Sequence, residues 1–326
     1  MYKLICSWVA LGLCVAAHAQ PTSTGSGQAY PTKPVRVVVP FAPGGGTDIS
    51  ARQFSQKLSE AFKQQFVVDN RGGAGGNLAA EIVAKANPDG YTLFLGFNTI
   101  LTVNPTLYKL GFSMDKDLAP VTLLATAQYI MVVHQSVAAN SLKDFIALAK
   151  QKPGAFNFSS GGAGTPLHLA AELFSKRAGV KMTHVPYKGG GPAAAALLGG
   201  EVQVLFASIA SSMPHVKSGR LKAFATTGLR RSKVAPELLT MAEQGFPGFD
   251  VGSWYAFLTP ANTPAAIVRR LRDESLKVVA MPDVQQSLSR QGMEAETSTT
   301  QELAARIKSE TATWAQVIKE AGIKGE

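Results

Sequence analysis

The residues of this chain best suited to chemistry are four glycine-rich segments. They are Pro43-Gly44-Gly45-Gly46-Thr47, Gly72-Gly73-Ala74-Gly75-Gly76, Gly161-Gly162-Ala163-Gly164-Thr165 and Gly189-Gly190-Gly191-Pro192. Glycine has no Cβ, so backbone N–H groups can face a ligand closely, and a helix N-terminus just beyond adds partial positive charge. Each segment is therefore a candidate anion cradle. The first and third share a layout, a glycine run closed by a threonine able to cap the next helix (Thr47, Thr165). Pro166 then stands where a first helical residue tolerates proline. Such runs are equally the tight strand-to-helix turns that any α/β protein needs.

A carboxylate suits these loops better than a nucleotide. No segment matches G-x-G-x-x-G, since Leu78 stands where the third glycine belongs after Gly73 and Gly75, and G-x-x-x-x-G-K-[ST] is absent. Asp48, beside the first loop, would repel a highly charged phosphate; it is expected to cap the helix or tie down the loop. His168 lies one turn past the third loop, where it either hydrogen-bonds a ligand or caps its own loop.

Catalytic signatures are missing. There is no G-x-S-x-G and no H-E-x-x-H, and Ser113-x-x-Lys116 sits in a polar, turn-like stretch. His134, His184 and His215 show no metal spacing and are expected to pack or face solvent. No cofactor or metal is implied. The alternative from another class, an exported hydrolase acting on an organic acid ester, would need a base-activated nucleophile, and none is evident.

The elements that must position these loops alternate. Val35–Val39 reads as a buried strand and 48–62 as a helix with Ala51, Phe54, Leu58 and Phe62 inward. Strands follow at 66–68, 91–97, 121–125, 130–134, 156–159, 183–185, 202–206 and 221–226. Helices are expected at 77–86, 142–150, 166–178 and 193–198. Thr263-Pro264 predicts an N-cap and first residue for a helix to about 280, and Thr299-x-x-Glu302 is a capping box opening the last helix. Alternation of this kind implies an α/β architecture with largely parallel sheets.

The chain has 326 residues, 46% apolar and 17% charged, enough for about two packed domains and too apolar for disorder. Lys3, an apolar run from Leu4 to Ala16 and Ala17-His18-Ala19 form a secretory signal pattern, with cleavage expected after Ala19. Cys6 and Cys14 both lie in it, so the mature protein must rely on core packing. Residues 20–29 read as a flexible leader. No later stretch reaches about 18 uninterrupted apolar residues, so no membrane insertion of the mature chain is expected. The net charge of +10 is scattered without interleaved aromatics, which argues against nucleic acid.

Longer motifs carry a resemblance. Tyr30-Pro31-x-Lys33-Pro34-Val35-Arg36, Val39-Pro40-Phe41-Ala42-Pro43 through Asp48, and Asn70-Arg71-x-Gly73 through Asn77 resemble the Bug family, extracytoplasmic solute-binding receptors of tripartite tricarboxylate transporters. Pro88-Asp89-Gly90-Tyr91-Thr92-Leu93, Asn104-Pro105-x-Leu107-Tyr108, His184-Val185-Pro186-Tyr187-Lys188-Gly189 and Trp254-Tyr255-x-x-x-x-Pro260 continue the match.

The resemblance implies a type II periplasmic-binding-protein fold, two α/β domains closing on one small carboxylate. Domain 1 would be 30–128 with 251–326, and domain 2 would be 129–250. It also implies a periplasmic, non-enzymatic receptor that docks membrane permease subunits or a sensor protein. The implied ligand contacts are Phe41, Ala42, Gly44, Gly45, Thr47, Asp48 and Asn98 in domain 1, and Ser160, Gly162, Ala163, Gly164, Thr165, His168, Ala207 and Ser208 in domain 2. Two departures are relevant to ligand choice. Ala207-Ser208-Ile209-Ala210 has no acidic residue where many members carry Asp, and Asn98-Thr99-Ile100-Leu101-Thr102 is more apolar than usual. Together they suggest a less polar pocket end, for a monocarboxylate or an aromatic acid rather than an amino acid.

Overall fold

The computed structural model describes residues 30–44 and 46–324; the signal pattern, the leader and Gly45 lie outside the described residues. The first half contains β1 (Val35–Val39), α1 (Gly46–Phe62), β2 (Phe66–Asn70), α2 (Asn77–Ala84), β3 (Thr92–Phe97), α3 (Asn98–Thr102), α4 (Asn104–Leu107), α5 (Met114–Asp117) and β4 (Leu118–His134). The middle runs through α6 (Leu142–Gln151), β5 (Phe156–Ser160), α7 (Pro166–Ala178), β6 (Met182–Pro186), α8 (Gly190–Leu198), β7 (Val204–Ser208), α9 (Ile209–Lys217) and β8 (Leu221–Thr226). The chain ends with β9 (Gly252–Pro260), α10 (Ala265–Val279), α11 (Pro282–Arg290), β10 (Glu294–Ala295) and α12 (Thr300–Ala321).

The strands join in the order β2-β1-β3-β9-β4-β7-β5-β6, with β8 and β10 also paired to β4. β1 lies parallel to β2 and β3, and β5 parallel to β6 and β7. These pairs are the βαβ units read from the alternation. β4 links the two groups: Leu118–Gln128 pairs antiparallel with β9, and Tyr129–His134 pairs with β7 and β8. Two strands were expected here, at 121–125 and 130–134. The half-buried Thr126, Ala127 and Gln128 that suggest a break are where one continuous strand crosses from one lobe to the other.

Each lobe has helices on both faces of its strands. In the first, α1 sets Ala51, Phe54 and Leu58 against Val37, Leu93 and Phe257, while α2 and α3 cover the other face with Ala79, Val83 and Ile100 near Phe94 and Trp254. In the second, α6 and α7 pack Phe145 and Phe174 on Phe158 and Phe206, and α8 covers the opposite face with Ala193 and Leu197. α12 belongs to both lobes. Its Leu303 joins the first-lobe core, and Trp314, Val317 and Ile318 join the second. Its capping box is formed as expected, with Thr299 and Glu302 exchanging hydrogen bonds of 3.1 and 2.8 Å. α10 begins one residue later than expected. Pro264 is its N-cap, and the Thr263 hydroxyl donates backward to the Pro260 carbonyl instead of capping the helix.

Candidate functional site

Both cradle loops leave the carboxyl end of a parallel strand and enter a helix, the usual place for a ligand crevice in an open α/β sheet. The first joins β1 to α1. Gly44 is left-handed at φ +91°, a conformation that favours glycine, and its N–H donates to Asp48 Oδ2 at 2.9 Å. Asp48 also accepts from Arg52 Nε at 3.0 Å. Burial disfavours its charge, but the bonds from Arg52 and Gly44 outweigh burial and hold the carboxyl below its ordinary range. Asp48 therefore ties down the loop, one of its two expected roles. Thr47 is buried, with Oγ1 3.2 Å from the Tyr255 hydroxyl. Phe41 is half-buried, its ring edge-on to Phe97 at 5.8 Å and packed on the first-lobe core, while Ala42 is exposed.

The second loop joins β5 to α7. Thr165 takes the N-cap position, but its hydroxyl donates to the Gly162 carbonyl at 2.8 Å instead of capping the helix. The amides of Leu167 and His168, in the first turn, have no partner within the helix. His168 is buried. Its Nδ1 accepts the Gly164 N–H at 3.1 Å and its Nε2 lies 3.5 Å from Glu172, so both ring nitrogens point into the protein. The imidazole caps its own loop. Ala163 stands exposed at the loop tip.

The remaining expected residues lie along the crossing strands. Asn98, buried at the start of α3, donates from Nδ2 to the Gly252 carbonyl at 2.9 Å, and its Oδ1 has no partner. Ala207 is buried opposite Ile130 in the β4–β7 ladder, and Ser208 is half-buried at the entry to α9. Of the apolar residues of the 98–102 stretch, Leu101 lines a groove with Pro105, Leu258 and Ile307 that includes neither cradle loop. Ile100 and Leu101 are buried in the first-lobe core, with Ile100 so close to Gly76 that a Cβ there would lie 2.3 Å from it. The expectation of a less polar pocket end loses that support.

The other two glycine clusters are explained by packing. Gly76 makes room for Ile100 and Pro40, and the Gly189 amide donates to the Gly161 carbonyl at 3.2 Å, so the fourth cluster backs the third. Ser113 donates to Asp115, not to Lys116.

Several residues at the lobe junction escaped sequence reasoning. Tyr129 and Ser253 join hydroxyls across the crossing strands. Gly292 touches the second lobe, since a Cβ there would lie 2.8 Å from Ala210 and 3.5 Å from Ser208 Oγ. Gly164, already expected at the site, marks a second meeting point of the lobes, where a Cβ would lie 2.9 Å from Leu107 of α4. His184 was expected to pack or face solvent; its Nε2 lies 2.6 Å from Ser160 Oγ. Burial and the neighbouring His168 lower its pKa to about 4 against the opposing pull of Glu172. That pair has the atoms of a nucleophile and a base, but the imidazole is a poor base near neutrality and Ser160 is fully buried. In the sequence, His184 opens the His184-Val185-Pro186-Tyr187 motif and Ser253 directly precedes Trp254-Tyr255.

A single sheet folded into two lobes by crossing strands, with paired glycine loops and helix N-termini, defines a type II periplasmic-binding-protein fold. The chain belongs to the tripartite tricarboxylate transporter receptor family, whose model matches residues 50–323. It is 33% identical over 318 residues to BugT of Bordetella pertussis, covering 97% of each chain. Among solved structures, an R. palustris protein with adipate is 34% identical at a TM-score of 0.73, covering 91% of this chain and all of that one. MatC of Rhodopseudomonas palustris, with bound malate, is 31% identical at a TM-score of 0.69, covering 89% of this chain and all of that one. The family and these neighbours are binding proteins, not enzymes. Among the described residues no helix is long and apolar enough to cross a membrane.

Proposed function

We propose that this chain is a periplasmic receptor that captures a small carboxylate between its two lobes and presents it to the permease of a tripartite tricarboxylate transporter. The observation that carries this reading is the paired loop arrangement of the family fold, in a chain whose structural neighbours hold adipate and malate. Both of those ligands are dicarboxylates, and this chain's two loops offer backbone amides from opposite lobes. The lobes are assigned as 30–128 with 251–326 and as 129–250. The change of β4 partners between Gln128 and Tyr129 and the start of β9 at Gly252 support those limits. Export would follow from the signal pattern of residues 1–19, with cleavage after Ala19.

At the site, the Ala163 amide and the first-turn amides of α7 are the donors left for a carboxylate in the second lobe. In the first lobe, Thr47 and the first-turn amides of α1 take that part, with Phe41 against the carbon chain. Anion binding to both lobes favours the closed form only by its greater affinity for that form. Thermal denaturation of refolded, ligand-free protein across mono-, di- and tricarboxylates, aromatic acids and acidic amino acids tests this. A ligand at 100 times its Kd adds about 2.7 kcal/mol. A selective rise in Tm for one group of acids supports the receptor; no rise with any of them rejects it.

A further inference from the structure

We propose that His184, which lies outside both loops, positions the second-lobe cradle by acting through Ser160 on Gly162. The inference rests on the reading of that loop as a carboxylate site. β5–β6 pairing sets His184 opposite Phe158, and Ser160, two residues further along β5, shares the same face. The His184 ring lies 4.9 Å from Phe158 and 3.8 Å from His168, inclined by 21° and 11°. Its Nε2 lies 2.6 Å from Ser160 Oγ, which accepts the Gly162 N–H at 3.1 Å and lies 3.0 Å from the Gly162 carbonyl.

The stacked partner does the same one step along the loop. His168 Nδ1 holds the Gly164 N–H at 3.1 Å. Two imidazoles in face contact thus fix the residues on either side of Ala163, and the Gly162 and Gly164 amides are both directed inward. What remains at the loop tip is the Ala163 amide, displayed on a backbone held from behind at two points. Oγ accepts from the Gly162 N–H and from His184 in its Nε2–H form, which leaves the single hydroxyl proton for the Gly162 carbonyl, so His184 selects the orientation in which Ser160 grips the loop.

His184→Phe keeps the ring and removes the hydrogen bond. His184→Gln restores a polar amide near the position of Nε2. Titration of adipate and of malate by calorimetry is paired with NMR hydrogen exchange at the Gly162 amide. The Phe variant is expected to bind whichever acid the wild type takes about tenfold more weakly, the equivalent of one buried hydrogen bond. Its Gly162 amide should exchange faster. The Gln variant should recover binding to within about threefold, and adding His184→Phe to Ser160→Ala should lose nothing more than Ser160→Ala alone. Wild-type affinity and exchange in His184→Phe, or additive losses in the double variant, overturn the proposal. If the wild type takes neither these nor any other acid of the thermal panel, the carboxylate reading loses its support while Gly162 exchange still decides the role of His184. Should His184→Phe fail to fold, His184→Leu, which also removes the hydrogen bond to Ser160, supplies the same comparison.

Discussion

The Asp48 carboxylate accepts from the Gly44 amide and the Arg52 guanidinium, and removing it has a definite pH signature. Its folded pKa lies below the unfolded value, so its contribution to stability is present above the unfolded pKa and is lost as pH falls through the folded one. Asp48→Ala should cost about 2 kcal/mol near neutrality, the range for a lost hydrogen bond to a charged group. The deficit should shrink as the pH is brought below about 4, near the ordinary carboxyl value. Urea unfolding at both pH values checks this; an equal deficit at both would mean that the carboxylate does not hold the loop. The loop-tying role of Asp48 was legible, because an acid four residues past Gly44 at a helix start has few other uses. The role of Ser160 and His184 was not, because they are 24 residues apart and meet only through strand register. Nor did the sequence distinguish a threonine that caps its helix from one that turns back to Gly162.

At the scale of elements, β1, α1, β5, α7 and the capping box of α12 were legible, because apolar periodicity and local turn residues define them. The joining of two strand patterns into β4 was not, because the polar stretch that looks like a turn is a solvated crossing. Nor was β9, whose nine residues are almost all buried and carry no alternation to read. These two strands run side by side at the crossing. A Cβ on Gly252 would lie 2.5 Å from the Ala127 carbonyl oxygen, a backbone atom that cannot swing away. Gly252→Ala should therefore push β4 and β9 apart where the lobes join, costing about 1–3 kcal/mol. It should also disturb the Asn98 contact to the Gly252 carbonyl. Thermal unfolding and small-angle scattering with and without ligand test this. A variant that melts and closes like the wild type would show that the crossing has slack.

At the scale of the molecule, the lobes share α12 and a half-buried charge cluster beside it. Trp254 on β9 donates Nε1 to Glu310 at 2.9 and 3.0 Å, and Arg306 Nε donates to the same carboxylate at 2.7 Å. Arg306 also lies 3.8 Å from Asp250, which ends the segment returning from the second lobe. Burial raises the pKa of both Glu310 and Asp250, with Arg306 opposing it in each case. A carboxyl whose folded pKa lies above its unfolded value stabilises the fold below the unfolded pKa and loses that contribution as pH rises through the folded one. Glu310→Gln keeps an acceptor for Trp254 and removes the ionisation, so the variant should gain on the wild type as pH rises from about 4 to neutrality. Arg306→Gln should do the reverse, leaving the half-buried Glu310 carboxylate without its counter-charge, so that the variant loses ground to the wild type as pH rises from about 4 to neutrality. The decisive measurement is the double variant Arg306→Gln with Glu310→Gln, followed by chemical unfolding across that pH range. Recovery of most of the Arg306→Gln loss would show that the guanidinium exists to neutralise Glu310 at the junction. No recovery would locate its contribution in the packing of its stem and its stacking over Trp254, where its guanidinium carbon lies 5.6 Å from the ring.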